Sequence, residues 1–452
     1  MRDLMEPTLA TGRARRGGPR PVGHRAGVWW ASPLSPLFLL VIPMMTIAAL
    51  IPASDYVTRW KTVKVFDLDA YLLTLAGALA FSVGVVVMTR GRLGLAARDE
   101  WPTLSPVARR ILHRAFGATF RVCCAAYAVW VGLAISHGLR LATLVTVVRD
   151  QNTFSDQIAR LFKGIPGVTT FTQADVAVVV IGTLLTCNTP NRAVRRRVTL
   201  IFVLGAFRAY FLTERLAIIE LVVPWLVIRS GHLAATRRRS LGRTAVRVGP
   251  LLAVPLLLAG FSLFEYSRSW TFARTHTDQT FLEYSGYRLL GYYATSFNNG
   301  ELVLTQPGQV NAAPYYTVQF VWTAPIIGPA LGDPRSGTTS VSDPRYNPEF
   351  NSISGMSAPF IDYGSAGGVI YFLGVGVVVG WLYQAFASSR TLGVLLYPIV
   401  FVGLLEMPRY LYWAQGRAVP AFAVLVVVAC AASTRARAVH AAHARQLVYG
   451  SV

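Results

Sequence analysis

In the otherwise apolar stretch "FRAYFLTERLAIIE", Phe207–Glu220, Arg208 and Arg215 stand seven positions apart, with Glu214 beside the second. On a continuous helix that spacing puts both guanidinium groups on one face. Charge set deep in a membrane is costly, and where it occurs it points to function by default. An arginine at the outer end of a short helix suits phosphate, because its planar fork matches phosphate oxygens. The structural alternative is an ion pair that holds two helices together, or an arginine that snorkels outward.

Four further stretches carry polar chemistry. "SRSWTFARTHTDQTFLEYSGYRLLGYYATSFNNG", Ser267–Gly300, sets Arg268, Arg274, Arg288, His276, Asp278 and Glu283 among Trp270, Tyr284, Tyr287, Tyr292 and Tyr293. Aromatic faces with carboxylates and amides hold sugars, since a pyranose has an apolar face and a rim of hydroxyls. The alternative is an aromatic belt at a membrane interface. "NPEFNSISGMSAPFIDYGSAGG", Asn347–Gly368, places Asn347, Asn351, Ser352 and Asp362 ahead of Gly364, Gly367 and Gly368. Asp362 either caps a helix start or serves as a general base or sugar-hydroxyl ligand. In "LEMPRYLYWAQGR", Leu405–Arg417, Glu406 and Arg409 either pair with each other or face a central cavity. "FDLDAY" holds Asp67 and Asp69, an acidic pair of the kind some lipid-dependent glycosyltransferases use, or a helix N-cap.

The elements that must position these residues are membrane spans. Hydrophobic residues make up 53% of the 452 and charged residues 14%, against about 25% charged in soluble domains; mean hydropathy is +0.45. A spanning helix needs about 20 apolar residues. About ten segments fit, some of them short: Leu34–Ile51, Leu68–Thr89, Gly117–Ser136, Ala174–Cys187, Thr199–Leu212, Leu216–Ile228, Val248–Phe264, Gly367–Phe386, Leu392–Met407 and Val419–Ala432. The expected fold is all-α and polytopic.

The net charge of +22 reads as arginine enrichment of cytoplasmic loops, and nothing points to nucleic acid. With the N-terminus inside, Arg90, Arg92, Arg98, Arg109, Arg110 and Arg114 share the cytoplasmic side with Arg192, Arg195, Arg196 and Arg197, with Arg229, Arg237, Arg238, Arg239, Arg243 and Arg247, and with Arg435, Arg437 and Arg445. That alternation requires Thr199–Ile228 to be two short helices meeting at "LTERL", because a single helix would put the Arg237 cluster outside. It divides the chain into a cytoplasmic arginine-rich lead (1–33), seven spans (34–264), a long external loop (265–366), three spans (367–433) and a cytoplasmic tail (434–452). The first helix is expected to stay uncleaved. Within the long loop, interfacial helices are expected around Thr280–Gly300 and Tyr315–Ile327. The four cysteines read as small hydrophobes. No GxxxxGK[ST], HExxH or GxSxG pattern occurs, and no cofactor or metal is expected.

At "LTERLAIIELVVPWLVI" and "NPEFNSISGMSAPFIDYGSAGGVIYFLGVGVVVG" the chain resembles Wzy-type oligosaccharide repeat-unit polymerases, and more distantly O-antigen ligases. The resemblance covers about Thr199–Gly380 and rests on architecture and two short motifs: an arginine, here Arg215, opening a short outer helix, and an acid-glycine seam, here Asp362, Gly364 and Gly367, leading into the next span. Asn347 and Asn351 stand without the histidine of the ligase pattern, which favours a polymerase. The resemblance implies a GT-C-like membrane glycosyltransferase at the outer face of a bacterial plasma membrane. There a glycan would leave its polyprenyl pyrophosphate carrier and join the sugar of another lipid-linked repeat unit. Arg215, with Arg208 or Arg288, would stabilise the departing pyrophosphate, and Asp362, Glu283 or His276 would take the proton. Arg208, Glu214, Arg274, Arg288, Asn351 and Arg409 are the candidate substrate-binding residues. Membrane lipids and a chain-length regulator are the further partners expected. The rival classes are a transporter or flippase for a lipid-linked glycan, and a structural subunit of an envelope assembly.

Overall fold

The computed structural model describes residues 28–93, 104–149, 158, 160–165, 167–211, 214–235, 241–270, 273–305, 313–325, 327–332, 345 and 347–433. Residues 1–27 of the arginine-rich lead, Arg98, the Arg237 cluster and the tail arginines lie outside them, as does the side chain of Arg268.

Every described element is a helix or a turn, as an apolar chain in a membrane requires, because a helix satisfies its backbone polar groups internally. The chain runs through α1 (Leu34–Leu50), α2 (Ala53–Trp60), α3 (Leu68–Thr89), α4 (Pro106–Ser136), α5 (Leu141–Arg149), α6 (Asp175–Asn188), α7 (Arg192–Phe211), α8 (Leu216–Ala235), α9 (Leu241–Glu265), α10 (Phe281–Leu304), α11 (Ala358–Ala387), α12 (Thr391–Glu406) and α13 (Gly416–Ser433). Each of the ten apolar segments is helical over most of its described residues. Among the described residues six helices are long and apolar enough to cross a membrane, or seven if the bent pair α1–α2, with its 98° turn, counts as one span. The shortfall from ten has local causes. The first half of α7 carries Arg192, Arg195, Arg196 and Arg197, and α12 has only 16 residues, about 24 Å at 1.5 Å per residue.

The expected break at "LTERL" is present. α7 ends at Phe211 and α8 starts at Leu216, and the two return along each other: the Phe202 and Trp225 rings meet edge to face with centroids 6.4 Å apart, and Arg208 meets Glu220. The core is built on α6 and α12, which are apolar on all sides and buried on all sides from Val176 to Leu185 and from Val394 to Leu404. α3 and α11 pack so closely that a Cβ on Gly84 or Gly376 would run into the opposing backbone. α11 itself is kinked at Gly364, whose φ of 69° and ψ of −177° only glycine adopts without strain.

Past α9, the long connection places α10 against α1 and α2, followed by short helices at Gln319–Trp322 and Ile327–Leu331, close to the interfacial helices expected there.

Candidate functional site

The charged side chains of the core collect at one end of the bundle, where α7 ends and α6, α8 and α13 begin. Arg208 has 1% of its side chain exposed. Its Nε donates to Glu214 Oε2 at 2.9 Å and its Nη2 to Glu220 Oε2 at 3.4 Å, and its Nη1 lies 3.7 Å from Asp175 Oδ2. Tyr127 of α4 donates to the same Asp175 oxygen at 3.3 Å. Arg417 completes the set, donating through Nε to Glu220 Oε1 at 2.9 Å and through Nη2 to Glu220 Oε2 at 3.1 Å. The glutamate thus ties α7 and α13 to α8. Such a cluster holds position: removing one partner from a buried pair leaves an uncompensated charge.

Beside it is a more open cluster. Arg215, in the turn opening α8, donates to Glu265 at the end of α9. The Glu265 carboxylate is fully buried; Arg288 Nε of α10 lies 2.9 Å from its other oxygen, which also accepts from Ser269. Arg288 reaches further through Nη2, which donates to Glu349 Oε1 at 2.5 Å. Arg409, paired with Glu406 at 3.4 Å, comes in from the end of α12. The guanidinium carbons of Arg409 and Arg215 lie 5.5 and 5.6 Å from the ring centre of Tyr292, cation–π distances. Arg215 and Arg288 therefore share the buried Glu265, and Arg215 and Arg409 share the Tyr292 ring. Burial works to lower the pKa of Arg288, but its bonds to Glu349 and the charge of Glu265 outweigh that and raise it.

Arg288 and Glu349 also line a groove of 670 Å³ between the end of α2 and the start of α10, within the range of about 300–1,000 Å³ typical of ligand sites. Its walls include Arg59, Lys61, Ser269, His276, Gln279, Tyr284, Tyr287 and Asn347. Arg59 stacks over Tyr287 at 3.6 Å and pairs with Asp55 at 3.4 Å.

The other sequence candidates occupy more ordinary positions. Asp362 accepts from the backbone N–H of Tyr315, Tyr316 and Thr317, at 3.0, 3.1 and 2.7 Å, and from the Thr317 hydroxyl at 2.7 Å. It pins the 315–317 loop to the start of α11. Glu283 forms a capping box with Thr280, and those hydrogen bonds hold its pKa low. His276 is exposed on the groove wall, Nδ1 at 2.8 Å from the Thr275 hydroxyl. Arg274 is exposed and pairs with none of the described carboxylates, and Asn351 is exposed just after the turn that carries Glu349. Asp67 caps α3, accepting from the Ala70 N–H at 3.0 Å, which favours the capping alternative. Nearby Glu301 has its pKa raised to about 7 by burial and by the charges of Asp67 and Asp69.

Sequence reasoning passed over Asp175, Glu220, Glu265, Glu349, Arg417 and the α2 end, Arg59–Lys61. A lone acid in an apolar run was the available signal for Asp175, Glu220 and Glu265. None marked Arg59–Lys61, which reach the groove only through the fold. No group of three or more His, Cys, Asp or Glu able to hold a metal occurs among the described residues. Compared with protein-family models, with curated proteins and with solved structures, the chain matches none.

Proposed function

We propose that the protein is a GT-C-like membrane glycosyltransferase that polymerises oligosaccharide repeat units carried on polyprenyl pyrophosphate, at the outer face of the plasma membrane of a bacterium, with both termini in the cytoplasm. The observation that carries this reading is a chain of arginines, Arg288 and Arg215 on Glu265 and Arg215 and Arg409 on Tyr292, which Arg288 joins to a groove lined by hydroxyls, amides and aromatic rings. Guanidinium groups already held in place stabilise an anion as it forms, without reorganisation during the step. The leaving group is a lipid pyrophosphate, so the glycosyl bond arrives activated and no nucleotide is required. The groove supplies polar and aromatic contacts for the sugar that attacks. Chain alternation puts this end of the bundle opposite the exposed arginines of Arg109–Arg114 and Arg192–Arg197, which the charge rule assigns to the cytoplasm.

The test is the purified protein in liposomes with polyprenyl-pyrophosphate-linked repeat units from its own host. The expected product is a ladder of lengthened glycans. Transfer of unlengthened units across the bilayer would make the protein a carrier instead.

A further inference from the structure

The proton of the attacking hydroxyl needs an acceptor with a free lone pair facing the space where sugar binds. Most carboxylates near the arginines are already committed. Both oxygens of Glu265 are engaged inside the protein, those of Glu220 are held by Arg208 and Arg417, Glu406 is buried against Arg409, Asp362 accepts from four donors, and Glu283 caps α10. Glu214 pairs with Arg208 and Arg417 and is not part of the groove wall.

Glu349 differs on each count. Its side chain is 47% exposed and stands on the groove wall. Among the described residues only its Oε1 is bonded, to Arg288, and its Oε2 makes no hydrogen bond to them. Arg288 keeps Glu265 as a second partner. Its charge therefore stays balanced if Glu349 turns toward a ligand. The mount beneath Glu349 is rigid. Asn347 Oδ1 accepts the Glu349 N–H at 2.8 Å while its Nδ2 donates to the Trp60 carbonyl at 2.6 Å. Asn299, buried in α10, donates to the carbonyls of Phe350 at 2.6 Å and Ser352 at 3.0 Å. A one-turn helix held by two asparagines, one tied to α2 and one in α10, is the kind of support that fixes a reacting group.

We propose that the groove is the acceptor-saccharide subsite and that Glu349 is its general base, the catalytic residue of the proposed polymerisation, with Asn347 and Asn299 as positioning residues. The inference rests on the polymerase reading and names the place and partner of its proton transfer. The acceptor hydroxyl oxygen bonds to the anomeric carbon of the donor glycan. The bond from that carbon to the pyrophosphate oxygen breaks, and its electron pair leaves with the pyrophosphate. The hydroxyl proton passes to Glu349 Oε2. Arg288 contacts both ends of the event, touching Glu349 through Nη2 and sharing Glu265 with Arg215 through Nε.

The experiment compares the wild type with Glu349→Gln and Glu349→Asp in the liposome polymerisation assay, following kcat and the KM for the lipid-linked donor, with melting temperature in detergent as a folding control. Glu349→Gln keeps the shape and a hydrogen-bond acceptor for Arg288. The expected result is a kcat about 100-fold or more below wild type, in keeping with the roughly 10²–10⁴-fold that general bases contribute. KM is expected to stay within about 3-fold and the melting temperature unchanged, and Glu349→Asp to retain intermediate activity. A kcat for Glu349→Gln within a few-fold of wild type overturns the proposal. So does a raised KM with kcat intact, which would make Glu349 only an ion-pair partner of Arg288. Inactive wild-type protein overturns the polymerase reading and this inference with it.

Discussion

The two ends of the helix bundle use the same residue in opposite ways. At one end Arg90, Arg92, Arg109, Arg110, Arg114, Arg192, Arg195, Arg196 and Arg197 are all exposed. At the other, Arg208 is 1% exposed, and Arg215, Arg288, Arg409 and Arg417 are each paired with buried glutamates. Exposed arginines report sidedness through their number and need no partner. A buried one must have a carboxylate placed to meet it, since desolvation otherwise outweighs any gain. Arginine count therefore reads topology at the first end and architecture at the second.

The comparison breaks most visibly at Glu220. Glu220→Ala removes the buried one of the two carboxylates that Arg208 and Arg417 share, and the expected loss is about 3–5 kcal/mol, read as collapse of the monodisperse fraction in detergent. Arg195→Ala at the other end should change stability by less than about 0.5 kcal/mol. Arg215→Ala and Arg288→Ala should reduce polymerisation by about 10²–10³-fold, the usual loss of a charge-stabilising donor, whereas Arg196→Ala leaves glycan length as in wild type; equal effects at both ends would erase the distinction.

Smaller effects sharpen the second end further. Asp362→Asn keeps one accepting oxygen but sets an NH2 donor against the donors that the other oxygen met, and about 1–3 kcal/mol of local stability should go with it, seen as faster amide exchange over 315–317. Normal glycan length with a loosened loop would make Asp362 an anchor, and lost polymer with a tight loop would restore it as a base. Gly364→Ala should cost about 1–3 kcal/mol for its backbone conformation, measured by melting temperature. Glu301 gives a pH signature. Its carboxyl loses its proton near 4.5 in the unfolded chain and near 7 when folded. Between those values the unfolded chain has shed a proton that the folded one still holds, so stability falls as pH rises through this window. Glu301→Gln should flatten that part of the melting curve.

Much of the fold was legible because hydrophobic runs are local. Leu68–Thr89 was readable residue for residue, and the break before Leu216 followed from arginine alternation alone. The candidate site was legible only in part. Arg215, Arg288 and Arg409 stood out as charges in apolar or aromatic surroundings, but their partners are remote in sequence: Glu265 lies 50 residues from Arg215, Glu349 lies 61 from Arg288, and Glu220 lies 197 from Arg417. No periodicity links such pairs. Asp362 drew attention as a possible helix cap, but α11 has Ser357 at its N-cap and no acid in its first turn, and the four donors to Asp362 come from a loop 45–47 residues upstream.

The central claim is that the clustered arginines and their groove face away from the cytosol. With the four native cysteines replaced by serine, Asp278→Cys beside the groove and Arg195→Cys at the opposite end can each be labelled in intact spheroplasts with a membrane-impermeant maleimide. Labelling of position 278 before lysis and of position 195 only after lysis is the predicted result; the reverse order would put the groove where no carrier-linked sugar is presented, and would contradict the account.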